Sequence, residues 1–154
     1  MIDTATDTVV ANVPVNTNAN GVAVSPDGSR VYLTGDTTLR VFDTATNTVT
    51  AAGSTPGGAT AVAVHPDGTR VYVSVYPNIY VVDTATFTTV ATVLVYGGPP
   101  QIAINPAGTR LYVPRVRDGE VAVIDTTTNS VIASVPMADG PHLPPSTRPG
   151  RRCT

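Results

Sequence analysis

One unit written several times over constrains this chain more than any other feature. The stretch GVAVSPDGSRVYLTGDTTLRVFDTATNTV, residues 21–49, returns as AVAVHPDGTRVYVSVYPNIYVVDTATFTTV and again as IAINPAGTRLYVPRVRDGEVAVIDTTTNSV. Asp43, Asp83 and Asp125 mark the same place in each copy, and Asp3 marks it in a fourth, partial one, at spacings of 40, 40 and 42. The tripeptide PDG at Pro26–Gly28 recurs at Pro66–Gly68 and, as PAG, at Pro106–Gly108. A period near 40 with several short strand-like runs per repeat is the sequence sign of propeller blades.

Each copy holds four short runs rich in Val, Tyr, Ile and Thr, bounded by turn residues, which is how strands read. In the first full copy they are Gly21–Ser25, Arg30–Thr34, Leu39–Asp43 and Thr48–Ala52. Between the first two, Pro26 presets its own φ and Gly28 accepts the left-handed conformation that a tight hairpin needs. Between the last two, Asp43-Thr44-Ala45-Thr46-Asn47 offers short polar side chains able to bond nearby amides. Val31-Tyr32-Leu33 and Tyr80-Val81-Val82 are apolar on both faces, as strands of a sheet covered on both sides are. The small Ala23, Ala63 and Ala103 suit innermost strands crowded around an axis. Helix signals are nearly absent. The expected fold is all-β: an incomplete β-propeller of three four-stranded antiparallel blades plus a partial N-terminal blade.

The runs TRVYVS, YLTG and DTATNTV resemble the YVTN-type β-propeller repeat of bacterial and archaeal surface and secreted proteins. The resemblance covers Met1 to about Pro141. It implies a ring of similar blades in which this chain supplies three and a fraction, often in a secreted or cell-surface setting. The organisation that follows is a partial blade of outer strands over 1–15, blades over 16–56, 57–96 and 97–138, and an aberrant or disordered tail over 139–154.

Both ends carry signs of a fragment. Met1 falls on the register of Val41, Val81 and Val123, where a GTG start codon would be read as Met. Asp139-Gly140-Pro141 repeats the register of Gly97-Gly98-Pro99, after which the repeat stops. Shifting the frame of the tail by one base restores most of the middle bases that encode Ile102–Tyr112. The expectation is a truncated or frameshifted piece of a longer propeller gene.

Function is far less legible. All nine basic residues are arginine, three of them in the last seven positions, and the net charge is -2. Nothing there favours a nucleic-acid partner. The single cysteine, Cys153, excludes an internal disulfide. No apolar run reaches a membrane span, and Met1 leads straight into repeat sequence, so localisation is unknown. No cofactor or metal is expected: Walker, HExxH, GxSxG and GxGxxG patterns are missing, and six of the eleven acidic residues are turn residues of the repeat. His65 stands at the register of Ser25 and Asn105, as a turn residue.

Loop variation gives the one usable contrast. The PDG and DTAT turns share one face of the disc and are uniform. The loops on the other face vary between copies, and function in repeat folds sits on such loops. Candidate ligand-binding residues there are Asn18, Asn20, Asp36, Tyr76, Asn78, Tyr96, Gln101, Arg115, Arg117 and Asp118. The expected role is a non-catalytic scaffold for binding or cell-surface interaction, its partner a protein or small molecule of unknown identity. The alternative is a fragment of a lactonase-like hydrolase or a quinone-dependent dehydrogenase, classes in which acidic groups, His and Arg gather at the channel mouth. Two bare end blades lead to a further expectation, self-association.

Overall fold

The computed structural model describes residues 1–15, 18–97 and 101–137. The expectations placed on Cys153 and on the tail over 139–154 lie outside those residues. Fourteen strands and no helix are present among the described residues. The N-terminal hairpin pairs β1 (Ile2–Asp3) with β2 (Thr8–Val9). The first blade holds β3 (Gly21–Val24), β4 (Arg30–Thr34), β5 (Thr38–Asp43) and β6 (Thr48–Ser54). The second holds β7 (Ala61–Val64), β8 (Arg70–Val75), β9 (Asn78–Asp83) and β10 (Thr89–Leu94). The third holds β11 (Ala103–Ile104), β12 (Arg110–Arg115), β13 (Glu120–Asp125) and β14 (Ser130–Pro136). Each blade is an antiparallel meander in chain order. The first strands β3, β7 and β11 touch from sheet to sheet, which makes them the innermost.

Register follows from the turns. Gly28, Gly68 and Gly108 have φ of 72°, 75° and 73°, the left-handed values that close each first hairpin. In the other turn the marker aspartate folds back on its own loop. Oδ1 of Asp43 accepts from the amides of Ala45 and Thr46 at 3.0 and 2.8 Å, and Asp3, Asp83 and Asp125 do the same. Four residues on, Asp7, Asn47, Phe87 and Asn129 take positive φ. Phe87 is a bulky residue in a conformation suited to Asn. It is kept by its packing against the cluster between the first two blades.

Two details depart from the sequence reading. Of the outer strands expected within 1–15, β2 is only Thr8–Val9, opposite a β1 that is itself two residues long, and beyond it the Val10 amide donates to the Met1 carbonyl at 3.0 Å. Strand β6 runs on to Ser54, beyond Ala52, by means of a bulge between Leu39 and Arg40. The bulge absorbs one extra residue and lets Gly53 and Ser54 continue pairing.

Two apolar clusters hold the blades face to face. Tyr32, Leu39 and Val41 of the first blade meet Val62, Val71 and Val73 of the second. Tyr72, Ile79 and Val81 of the second meet Leu111, Val113 and Ile124 of the third. One repeated cation crosses the same boundaries. Nη1 of Arg30 donates to the Thr84 carbonyl at 3.3 Å, and Nη1 of Arg70 donates to the Thr126 carbonyl at 3.3 Å. His65 adds a third link. Where Ser25 and Asn105 accept the amides of Arg30 and Arg110 in their own blades, the His65 imidazole turns outward and Nε2 donates to the Gly108 carbonyl at 3.0 Å.

The turn carboxylates make the fold acid-sensitive. Hydrogen bonds from the hydroxyls of Ser25 and Ser29 hold Asp27 down at about 2. The Thr46 amide lowers Asp43, the Thr86 amide lowers Asp83, and the Thr128 amide lowers Asp125. A carboxylate whose folded pKa lies below its unfolded one adds stability above the unfolded value and loses it as pH falls through the folded value. The urea midpoint should therefore hold steady above about pH 4 and fall between about pH 4 and 2. Asp83→Asn, which keeps an accepting oxygen, should flatten part of that fall. A midpoint unchanged down to pH 2 would contradict it.

Candidate functional site

Strand direction places the starts of β3, β7 and β11 on the disc face that carries the variable loops. There they enclose a groove of about 290 Å³ lined by Asn20, Gly21, Val22, Thr60, Ala61, Val62, Gln101 and Ile102. Its position follows from the repeat. Gly21, Ala61 and Gln101 occupy one register at the mouth of the innermost strands, and Val22, Val62 and Ile102 the next. A glycine and an alanine at the first register leave space that Gln101 only partly fills.

Two of the polar side chains of the groove, Asn20 and Thr60, are anchored. Nδ2 of Asn20 donates to the Ala59 carbonyl at 3.1 Å, which ties the loop before β3 to the loop before β7. Thr60 Oγ1 donates to Ser74 Oγ at 3.3 Å. Beneath Gly21 lies the Thr34 hydroxyl, fully buried and without a hydrogen-bond partner. It stands 2.7 Å from the point where a Gly21 Cβ would be, and that point is 3.1 Å from Ala61 Cα. The groove lining carries amide and hydroxyl groups over valine and isoleucine and has no ionisable side chain.

The ten sequence candidates separate into groups. Asn20 and Gln101 come together in the groove. Asn18 and Asp36 face each other across the first blade's loops, Nδ2 to Oδ1 at 3.5 Å. Tyr96, Arg115 and Asp118 form a structural clamp. Arg115 pairs with Asp118 at 2.6 Å and with Glu120 at 3.1 Å, and its Nε donates to the Tyr96 carbonyl at 3.1 Å. That guanidinium fastens the second-to-third blade connector to the third blade, so its charge is already committed. Tyr76, Asn78 and Arg117 lie outside the groove lining. Thr60, Val22, Val62 and Ile102 were missed by sequence reasoning. Their signal was present in the shared first positions of the three inner strands, at the edge of the loops that drew attention.

Among the described residues no group of three or more His, Cys, Asp or Glu is placed to hold a metal ion, and no helix is long and apolar enough to cross a membrane. No family model and no curated protein matches the sequence. Solved structures do. The chain is similar to a structure titled hydrazine synthase from Kuenenia stuttgartiensis, with a TM-score of 0.77 and 23% identity over 87% of this chain. This chain spans 41% of the length of that one. At that identity the likeness bears on fold alone. With the blade geometry, it makes the molecule an incomplete, all-β β-propeller: three four-stranded antiparallel blades and an N-terminal two-stranded sheet.

Proposed function

We propose that this chain is a stretch of YVTN-type propeller repeats serving as a non-catalytic binding scaffold, with its ligand at the mouth of the inner strands. The observation that carries the reading is the groove of about 290 Å³ that gathers Asn20, Thr60 and Gln101 over an apolar floor. Such a lining offers hydrogen bonds to a neutral amide- or hydroxyl-bearing group and apolar contact beneath it. A small number of placed polar groups over apolar walls is the usual make-up of a ligand site. The lining has no carboxylate or imidazole to move a proton and no charge to attract an ionic substrate.

The test is a titration of ¹⁵N-labelled chain with a neutral disaccharide and with a capped neutral tripeptide. One of them should shift the amides of Asn20, Thr60 and Gln101, and Asn20→Ala with Gln101→Ala should weaken that binding about tenfold or more, the loss of one or two hydrogen bonds. Shifts confined to other surfaces, or a preference for charged compounds, would refute the site. Turnover of a simple lactone by the same sample would replace the scaffold reading with the hydrolase alternative.

A further inference from the structure

We propose that the outer face of the third blade docks a second copy of this chain, head to tail, through the exposed face of that copy's first blade. Tyr32, Tyr72 and Tyr112 share one register and point the same way along the arc. The first two are 1% exposed against the following blade, and Tyr112 is 39% exposed. Around Tyr112 lies a groove of about 250 Å³ lined by Gln101, Ile102, Ala103, Pro114 and Val121. Val121 and Val123 occupy the register of Ile79 and Val81, which are 0% exposed in the second blade. The arginines say the same. Arg30 and Arg70 reach forward to a carbonyl of the next blade, whereas Arg110 turns back on its own blade, to Asp125 at 2.6 Å and the Thr109 carbonyl at 2.7 Å.

The complementary surface is on this chain too. In the second-to-third interface, Tyr72 is received by a cluster that includes Ile102, Ile104, Leu111 and Val113. Val22, Val24, Val31 and Leu33 hold those registers in the first blade, and Val22 and Val24 are 65% and 57% exposed. The pairing would therefore repeat an interface that the chain already builds twice. The hairpin β1–β2 is a two-stranded sheet of its own and shares no ladder with the first blade, so it does not fix that face. A two-stranded hairpin by itself is marginal. The contact joins unlike faces, so it is heterologous and propagates unless the arc closes.

The occupant is tested with the full chain in a Cys153→Ser background. Gln101 has the register of Gly21, and Val22 that of Val62. Across the first-to-second boundary these lie close, with the backbone nitrogen of Val62 3.2 Å from the Gly21 Cβ position. Mixing Gln101→Cys chain with Val22→Cys chain under mild oxidation should give a covalent dimer that neither variant gives alone. Sedimentation of the unmodified chain should show at least twice the chain mass at micromolar concentration. Tyr112→Glu, at a partly exposed position, should return it to one chain mass with an unchanged circular dichroism spectrum. Unchanged association of a folded Tyr112→Glu chain overturns the proposal. So does cross-linking of either single variant with itself, which would mean like faces meet, and so does a monomer at every concentration.

Discussion

Replacing Tyr72 by alanine is expected to cost about 3–5 kcal/mol, the range for emptying a large aromatic site in a core. Tyr72 is 1% exposed, on the central strand pair of the middle blade, and belongs to the cluster that joins the second blade to the third. Its ring is also close to the His65 imidazole, centroid to centroid 6.4 Å, so the loss loosens the side chain that donates across the same boundary. Tyr112→Ala is the control, because the same residue type on the same register is 39% exposed. It should cost less than about 1 kcal/mol when measured in dilute solution, where no second copy covers it. Urea denaturation of the two variants decides the matter. Equal losses would mean that the blade faces contribute little and that stability resides in single blades.

Local chemistry was the part of this molecule that the sequence showed well. Gly28, Gly68 and Gly108 announced the left-handed turn, the marker aspartates announced the self-bonded loops, and Ala23, Ala63 and Ala103 announced the inner strands. Each of those features is settled within about five residues, so a single repeat contains the whole cause. What crosses between blades was not visible. An arginine opens the second strand in every copy, yet only the rotation between neighbouring sheets shows that Arg30 and Arg70 land on Thr84 and Thr126. His65 is the turn residue that its register predicts, its Nδ1 against Asp67 at 2.7 Å, but its Nε2 bond to the Gly108 carbonyl was not visible, since Ser25 and Asn105 at that register bond within their own blades.

The candidate site was half legible for a related cause. Loop variation identifies a face, and Asn20 and Gln101 lie on the part of it where the inner strands converge. Variation cannot say which loop residues are engaged by the frame itself. Arg115 and Asp118 differ from their counterparts because the third blade carries a longer loop and uses them to hold it. The groove's other walls come from Val22, Val62 and Ile102, which a period-two reading assigns to blade packing. Convergence about an axis is a property of three copies together, and no single copy contains it.

Gly97→Ala is expected to lose about 2–6 kcal/mol, adding left-handed strain of about 1–3 kcal/mol to an overpacking cost of similar size. Gly97 has φ of 117°, which L residues rarely adopt, and an added Cβ would lie 2.9 Å from Arg115 Cα and 3.0 Å from Arg115 Cβ. The obstacle is backbone, so no rotamer relieves it. One of two segments must move, and both belong to the clamp in which Arg115 holds Tyr96, Asp118 and Glu120. The turn glycines set the scale for strain without collision. Gly28 has φ of 72° and open space at its Cβ position, and Gly68 has φ of 75° with Pro26 Cδ 3.8 Å away. Gly28→Ala should cost about 1 kcal/mol, and Gly68→Val about that or more because β-branched residues tolerate positive φ poorly. Gly108 falls between these cases: its Cβ would meet the His65 ring at 2.6 Å, and the ring can retreat only by giving up its bond to the Gly108 carbonyl. Urea midpoints should therefore fall in the order Gly28→Ala, Gly108→Ala, Gly97→Ala, the last lowest. A Gly97→Ala chain as stable as Gly28→Ala would show that the connector yields freely, and that Arg115 does not fix it to the third blade.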